Sequence, residues 1–471
     1  MALSKVSPFN KIAYGIGSAA FGVKGNGFDY FFLIFYSQVL GVDAYLVGLA
    51  LLIALIADSL SDPLIGYFSD NTHTRWGRRH PYMYLAAVPA SLSYFFIWNP
   101  PSVLSGNELF PYILMMAIFV RTLITLYEIP NSALVAEMTD DYDERTSIVS
   151  YRFFFGWAGG TFMGFYALTY LLVPTEEVSN GLFNLGGFGQ MGLISSMVIF
   201  ISIMISALGT HSFIPQLKAP PPKQKISIGR IYREIFETVW NRSFGALFAA
   251  ALFGAIGTGI ATGLSHYINS FFWGFSTGQL GQISLSVVAS AVVALVLAPI
   301  ISKKLGKKRA AIITGLLAFT ILPATIVLRL FNLMPDNGDP VLFPLILFIT
   351  MIDVGLIITY QILSTSMIAD LVEESELRTG RRSEGVFFAS MTFVKKFVQG
   401  FGVVAAATIL TLAEFPVGVA PGSVPADSLF RLGALYVPIV FTVWMLMIFC
   451  ISHYEVDRDK HKANLKALGR T

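Results

Sequence analysis

The 471-residue sequence is poor in charge and holds a single cysteine. Charged side chains make up 13% of its residues, against roughly 25% in soluble domains. The lone Cys450 excludes an internal disulfide and a thiolate metal cluster. The histidines show no HExxH spacing, and no phosphate-binding loop with its lysine occurs. We therefore expect no metalloenzyme, no ATP hydrolysis, no enzyme activity of another kind and no cofactor.

Apolar residues are abundant and come in long runs. Aliphatic, aromatic and sulfur-containing residues make up 55% of the chain, which predicts a protein of the membrane. The start, "MALSKVSPFNKIAYG", lacks the short apolar core and cleavage site of a secretory signal, so the first hydrophobic segment is expected to stay. A membrane span needs about 20 apolar residues. Such runs predict twelve spans: 14–40, 45–69, 82–99, 109–134, 150–172, 190–214, 243–271, 279–301, 310–331, 341–368, 384–411 and 429–452.

Basic residues collect in one set of alternate loops, and the opposite loops hold none apart from Arg329 and Arg431 near helix ends. Because cytoplasmic loops carry the excess of Lys and Arg, both termini are predicted to be cytoplasmic. The three prolines of "APPPKQK" cannot continue a helix. They divide the chain into an N-terminal six-helix bundle, a cytoplasmic linker, a C-terminal six-helix bundle and a cytoplasmic tail: 1–214, 215–242, 243–453 and 454–471.

The two halves share an internal repeat. "AEMTDDYDERT", from Ala136, follows the fourth predicted span, and "ADLVEESELRT", from Ala369, follows the tenth. At an offset of 233 residues four acids and the arginine of both segments coincide. Repeated halves of this kind are typical of carriers with the substrate site between them. The expected fold class is therefore an all-α membrane protein of twelve transmembrane helices in two pseudo-symmetric bundles.

Asp58 and Asp62 lie in the middle of the second predicted span. A charged side chain at that depth is unfavourable by roughly 2.5–3.5 kcal/mol on insertion scales. Each aspartate is therefore expected to have a functional role. Residues at i and i+4 share a helix face, and two carboxylates repel unless a cation or proton lies between them. Ser61 adds an oxygen, and oxygen ligands suit a hard cation such as Na⁺. In the alternative interpretation Asp62 pairs with basic loop residues and Asp58 alone faces the cavity.

Several further charges fall within predicted spans. Thr125 and Glu128 are three residues apart and share one face of the fourth span. Lys395 is a candidate for a tethered ammonium that competes with the cation for the aspartates, and Lys396 points about 100° away and is the second candidate. The remaining buried charges are Lys24, Asp29, Arg121, Arg152 and Asp353. Lys24 and Asp29 have two interpretations, substrate contact or pairing between helices. Arg121 either joins the face of Thr125 and Glu128 or neutralises an acid elsewhere.

The stretch "GLSHYINSFFWGF" around His266 is rich in aromatic and amide side chains. Such a stretch suits stacking on a sugar ring, and it equally suits helix packing with an interfacial aromatic belt.

Five segments together resemble one transporter family. They are "DSLSDPLIGYFSD", "TRWGRRHPY", "ITLYEIPNSALVAEMTDDYDERT", "SYRFFFGWAGG" and "TGRRSEGVFFASMTFVKK". In this order they look like the glycoside–pentoside–hexuronide:cation symporters, the melibiose permease group of the major facilitator superfamily. The resemblance implies alternating access and symport of a solute with Na⁺, H⁺ or Li⁺. It places Asp58, Asp62 and Thr125 in the cation site, with Ser61 where melibiose permeases have Asn.

The resemblance also suggests substrate and coupling residues. At other positions the sequence departs from the family pattern. Lys395 matches the lysine of the eleventh span, and Glu128 and Arg152 match a sugar-binding acid and an arginine. The Lys-Asp pair that holds galactosides has Phe21 and Gly22 in its place, so a galactoside is not the expected substrate. Lys24 and Asn26 could substitute only through a shift, and Ser132 replaces a sugar-stacking tryptophan. "TGRRSEG" and "YFFIW" also resemble sodium-coupled lysolipid carriers of vertebrates.

The predicted function is cation-coupled symport of a sugar, glycoside or related small organic solute. The alternatives are symport of a lysolipid-like amphiphile and uncoupled flux by a facilitator or scramblase. We expect a monomer in the plasma or bacterial inner membrane, whose partners are the solute, the cation and the lipid bilayer, without nucleic acid. The substrate residues are predicted to be Glu128, Arg152, Lys24, Asn26, Asp353, Tyr360 and His266. A cytoplasmic gate is predicted from Arg78, Arg79, Asp140, Asp141, Arg145, Glu373, Glu374, Arg378, Arg381 and Arg382.

Overall fold

The computed structural model describes residues 6–139, 142–176, 178–216, 242–379 and 384–454. Inside its helices, the side chains of 142–146, 242–244, 368–379, 384–395 and a few single positions are outside this description. All regular structure in these ranges is helical, and they contain no β-strand. The predicted linker and tail fall largely in the ranges left out.

The described ranges contain fourteen α-helices. In chain order they are α1 Pro8–Ile16, α2 Ala19–Asn26, α3 Phe32–Ile34, α4 Ala44–Asn71, α5 His80–Trp98, α6 Phe110–Met138, α7 Tyr142–Tyr166, α8 Leu185–Gly209, α9 Arg242–His266, α10 Thr277–Leu305, α11 Lys307–Leu330, α12 Leu342–Thr379, α13 Glu384–Leu412 and α14 Ala426–Ser452. Wider π-helical turns occupy Gly27–Phe31, Phe35–Val39, Ala167–Leu171 and Tyr267–Phe272. Short 3₁₀ turns lie at Gly106–Leu109, Gly181–Phe183 and His211–Gln216.

Eight of the described helical segments are long and apolar enough to cross a membrane. The outer surface of α8, one of these segments, shows the environment that they require, because Met197, Ile201, Ile205 and Leu208 are all exposed at helical spacing. An exposed apolar stripe of this kind fits lipid rather than water. The predicted all-helical membrane protein is confirmed, and the count of twelve spans stays a prediction.

Glycines let pairs of helices approach backbone to backbone. A Cβ on Gly22 of α2 would lie 1.9 Å from the carbonyl oxygen of Gly156 in α7. In the other half, a Cβ on Gly402 of α13 would lie 2.3 Å from the carbonyl oxygen of Ile256 in α9. Small residues at such crossings are the usual means of tight packing between membrane helices. These contacts fix α2 and α13, which carry Lys24 and Lys396.

The first half of the chain meets the second mainly along α4. This helix packs against α6 of its own half on one side and against α13 of the other half on the other. Asp58 and Asp62 lie on α4, so the acid pair lies at the seam between the halves.

Candidate functional site

A lysine from the second half lies between the two aspartates of α4. Lys396 Nζ donates to Asp62 Oδ2 at 2.8 Å and lies 3.7 Å from Asp58 Oδ2. Asp58 is fully buried, whereas the side chains of Asp62 and Lys396 are 16% and 21% exposed. A protein ammonium therefore lies beside both carboxylates, where a free cation would have to bind.

Helix α6 supplies the other partners of Asp58. Thr125 Oγ1 donates to Asp58 Oδ1 at 2.7 Å, and Arg121 Nη1 donates to Asp58 Oδ2 at 3.4 Å. Arg121 also lies over the ring of Phe28, 4.9 Å from its centroid. One turn separates Arg121 from Thr125, so both reach the same carboxylate from one helix face.

The oxygens near the acid pair are not all engaged. Asp62 Oδ1 is buried and has no hydrogen-bond partner within the part of the chain that the structure describes. Ser61 Oγ donates to the backbone oxygen of Asp58 at 3.0 Å. The pair of carboxylates together with the hydroxyls of Ser61 and Thr125 offers only oxygen ligands, which suit a hard monovalent cation or a proton.

A second ion pair lies between α6 and α7. Arg152 Nη2 is 3.9 Å from Glu128 Oε1, and both side chains are about one-fifth exposed, at 22% and 19%. The guanidinium carbon of Arg152 lies 5.3 Å from the centroid of the Phe21 ring. The structure thus brings Glu128 and Arg152 together.

The two candidates from α2 point in different directions. Lys24 is buried at 8% exposure and interacts electrostatically with Arg121, Asp58, Glu128 and Lys396. Asn26 instead packs its amide against Gly164 of α7, where a Cβ would lie 2.8 Å from Oδ1. Lys24 therefore belongs to the group of buried charges, and Asn26 lies in the α2–α7 contact.

Two glutamines that sequence reasoning missed also join the halves. Gln399 Nε2 donates to Asp29 Oδ1 at 3.2 Å, one turn along α13 from Lys396. Gln38 donates to the backbone oxygen of Pro416 at 3.3 Å and accepts from the backbone N–H of Gly418 at 3.1 Å. Asp29 and Gln38 both lie in π-helical turns, which often occur at functional positions.

A cavity of about 340 Å³ lies near the Gln38 contact, apart from the buried charges. Its polar lining comes from both halves, with Asp43 and Asn107 from the first and Thr411 and Glu414 from the second. Glu414 is also paired with Arg431 at 2.5 Å. At the end of the molecule that carries Gln38, the two halves therefore meet around this cavity.

The remaining candidate substrate residues have no described contact with the acid pair. His266 is 5% exposed and packs on Phe31 with 4.8 Å between ring centroids, and neither ring nitrogen has a partner in the described ranges. Asp353 is 3% exposed, and its Oδ1 likewise has no described partner. Tyr360 packs edge-on against Phe319 at 5.7 Å within the second half.

Most of the predicted cytoplasmic gate lies outside the described residues or side chains. This applies to Asp140, Asp141, Arg145, Glu373, Glu374, Arg378, Arg381 and Arg382, and also to the side chain of Lys395. Arg79 is described and donates to Ser69 Oγ at 2.8 Å. Arg78, its neighbour, is half-buried.

The arrangement suits exchange of a cation. No group of three or more His, Cys, Asp or Glu side chains that could hold a metal ion occurs in the described part of the chain. What the site offers is a buried acid pair, a hydroxyl bound to one acid, and an ammonium from the opposite half. A small cation could replace that ammonium only by separating one contact between the halves.

Comparisons with known proteins place this geometry in context. The family model described as MFS/sugar transport protein matches residues 13–458. The isoprimeverose transporter of Lactiplantibacillus pentosus is 23% identical, over 96% of the chain and 89% of that protein. The sodium-dependent lysophosphatidylcholine symporter 1-A of Danio rerio is also 23% identical, over 98% of the chain and 88% of that protein.

A solved structure matches the fold over nearly the whole chain. The xylose transporter of E. coli in an inward-open conformation superimposes with a TM-score of 0.62 at 14% identity. The match covers 97% of the chain and 98% of that structure.

Proposed function

The chain belongs to the MFS/sugar transport family, and from this premise we propose that it is a cation-coupled symporter that works by alternating access. The solute is a sugar, a glycoside or a related small organic molecule. One observation carries the proposal: Lys396 of the second half holds Asp62 at 2.8 Å and lies 3.7 Å from Asp58, both of the first half. The pair is therefore linked to the contact between the halves.

The topology that accompanies this function has twelve spans in two six-helix halves, with both termini in the cytoplasm. The protein is a multi-pass protein of the cell membrane, and we propose that it acts as a monomer. In this topology the loops around Gln38 and Gly418 face the outside. The contacts at Gln38 then hold the outer end of the seam closed, and the predicted basic and acidic side chains form the inner gate.

The coupling step is an exchange of cations at the acid pair. Na⁺ or H⁺ binds between Asp58 and Asp62, with Thr125 and Ser61 as neighbouring oxygens, and releases Lys396. Release removes one electrostatic contact between α4 and α13 and allows the halves to rearrange. Arg121 stays with Asp58 and prevents full repulsion between the carboxylates while the site is exchanged.

The substrate lies beside this exchange site. Glu128 and Arg152 offer an acceptor and a donor for polar groups, and Lys24 adds a further donor. Because binding of two ligands is thermodynamically reciprocal, a cation that tightens substrate binding is itself bound more tightly by the same factor. His266, Asp353, Tyr360 and Asn26 remain predicted substrate residues that have no described contact with the acid pair.

A proteoliposome experiment tests the proposal. Uptake of labelled isoprimeverose is measured with an inward Na⁺ gradient, with an inward H⁺ gradient and with neither. Gradient-dependent accumulation that Asp58→Asn abolishes supports symport. Equal flux under all three conditions would identify an uncoupled facilitator or scramblase instead.

A second candidate substrate class is a lysolipid-like amphiphile. Buried aromatic rings next to the charged site favour it: Phe28 stacks on Phe32 with 4.9 Å between centroids, and Arg121 lies over the ring of the same Phe28. Such an arrangement could hold an apolar chain beside a charged head group. Uptake of labelled lysophosphatidylcholine, measured under the same three gradients, separates this class from the sugars.

A further inference from the structure

Lys24 is a buried cation without a counter-ion of its own. It is 8% exposed, and its ammonium forms no hydrogen bond or ion pair with the residues that the structure describes. A charged side chain that is largely removed from water is costly unless it is paired. The position of Lys24 therefore needs an explanation beyond packing.

The neighbouring charges do not compensate Lys24. It interacts with two cations, Arg121 and Lys396, and with two carboxylates, Asp58 and Glu128. Both carboxylates already have cationic partners, since Asp58 is held by Arg121 and Lys396, and Glu128 by Arg152. With Asp62, which Lys396 also holds, four cations face three carboxylates, so one positive charge is left over in this group.

The other nearby carboxylate is also occupied. Asp29 lies five residues after Lys24, and its Oδ1 accepts the hydrogen bond from Gln399 at 3.2 Å. Asp29 is not among the groups that act electrostatically on Lys24.

A second unused donor lies in the same group of charges. Arg121 is 6% exposed, and its Nε is buried without a hydrogen-bond partner in the described ranges. Its Nη1 is the atom that binds Asp58. Lys24 Nζ and Arg121 Nε are thus two cationic donors of buried residues, and neither has a hydrogen bond to a described side chain. Polar groups in such surroundings are normally satisfied.

We propose that Lys24 and Arg121 form a subsite for an anionic group of the substrate, so that the carried solute bears a carboxylate or a phosphate. This inference rests on the proposed symport and names the class of its substrate. A bound anion satisfies both donors and neutralises the remaining charge. It also offsets the positive charge that the coupling cation adds at Asp58 and Asp62, so each ligand favours binding of the other.

Matched pairs of compounds test the subsite on the purified full-length protein. Each pair differs by one anionic group: 4-nitrophenyl β-D-glucuronide against 4-nitrophenyl β-D-glucoside, glucose 6-phosphate against glucose, and lysophosphatidic acid against the corresponding monoacylglycerol. The pairs distinguish a sugar carboxylate, a sugar phosphate and a lipid phosphate. Binding is measured by thermal shift and calorimetry at fixed Na⁺.

We expect the anionic member of one pair to bind about tenfold tighter or more, the effect of one hydrogen bond to a charged group. Lys24→Gln keeps a hydrogen-bond donor but removes the charge, so it should abolish this preference, whereas Lys24→Arg should retain it. Lys303→Gln, at an exposed lysine of α10, is the matched control. Elution as a single species and an intact Na⁺-induced thermal shift show that Lys24→Gln is folded.

Three results would overturn the subsite: no member of any pair binds, neutral members bind as tightly as anionic ones, or Lys24→Gln keeps the preference. Failure of symport has a different signature. If the neutral glucoside accumulates with a cation gradient equally in the wild type and in Lys24→Gln, symport stands and the anionic subsite does not. Anion binding that depends on Lys24 without gradient-driven uptake would keep the subsite and remove symport.

Discussion

Lys396 Nζ lies 2.8 Å from Asp62 Oδ2, although the two residues are 334 positions apart and belong to different halves of the chain. The Lys396 ammonium occupies the acid pair and also links the two halves. These two effects can be separated. Removing the ammonium frees the aspartates for another cation, and it also removes the link.

Lys396→Gln should therefore bind Na⁺ more tightly and accumulate substrate poorly. The expected gain in apparent Na⁺ affinity is about tenfold or more, because a charge-assisted competitor is lost. Na⁺ titration by thermal shift and uptake in proteoliposomes measure the two effects, with Lys303→Gln as control. An unchanged or weakened Na⁺ affinity would show that Lys396 does not compete for the site.

Asp58 should matter more than Asp62 for stability. Asp58→Asn leaves buried Arg121 without its carboxylate, and breaking a buried ion pair costs about 3–5 kcal/mol of unfolding free energy. Asp62→Asn should cost less, since Asp62 is partly exposed and contacts Lys396 alone among its described partners. Thermal unfolding in detergent gives the order.

A double variant checks the cause of that difference. Arg121→Gln added to Asp58→Asn should recover part of the lost stability, since the unpaired charge is then removed. A double variant that is less stable than Asp58→Asn would assign the loss to something other than the unpaired guanidinium.

Gln38 should hold the outer end of the halves together. Gln38→Leu removes both hydrogen bonds to the backbone around Pro416, so the distance between the halves should become longer and more variable. Spin labels on Tyr45→Cys and Val417→Cys, in a Cys450→Ser background, report that distance by double electron–electron resonance. Both positions are 46% exposed and accept a label.

The outer contact has a simple control. Glu176→Gln, at an exposed residue of another loop, should leave the distance distribution unchanged. If Gln38→Leu gives the same distribution as this control and the wild type, Gln38 does not hold the outer end.

Two glycines of α2 should respond in opposite ways to the same substitution. A Cβ at Gly22 would lie 1.9 Å from the oxygen of Gly156, whereas a Cβ at Gly25 would meet nothing within 4 Å. Gly22→Ala should destabilise the protein by about 1–3 kcal/mol through overpacking. Gly25→Ala should be neutral or gain up to about 1 kcal/mol from helix propensity. Equal melting temperatures for both variants would contradict the close α2–α7 contact.

The sequence predicted the features that carry a large energetic cost in lipid. A membrane protein made of helices follows from the apolar runs, and Asp58 and Asp62 stand out because few acids lie at that depth. Their shared face follows from i, i+4 spacing alone. The family resemblance added Thr125, which the structure places 2.7 Å from Asp58.

Contacts that depend on helix rotation were not predictable. When a helix is apolar on all sides, its sequence does not indicate which side faces the protein interior. The choice between Lys395 and Lys396 could therefore not be made from spacing. π-helical turns shift the rotation further in the segment that carries Asp29 and Gln38. Gln38 and Gln399 gave no signal, because an uncharged amide in a membrane helix is far less unusual than an acid.

The position of Lys396 also bears on what the protein does when no solute is present. Its ammonium is attached to the chain and cannot diffuse away, so it returns to the aspartates whenever an ion departs. Without solute, the carrier would then keep the contact between its halves, and ions would not leak through it down the gradient of the cell.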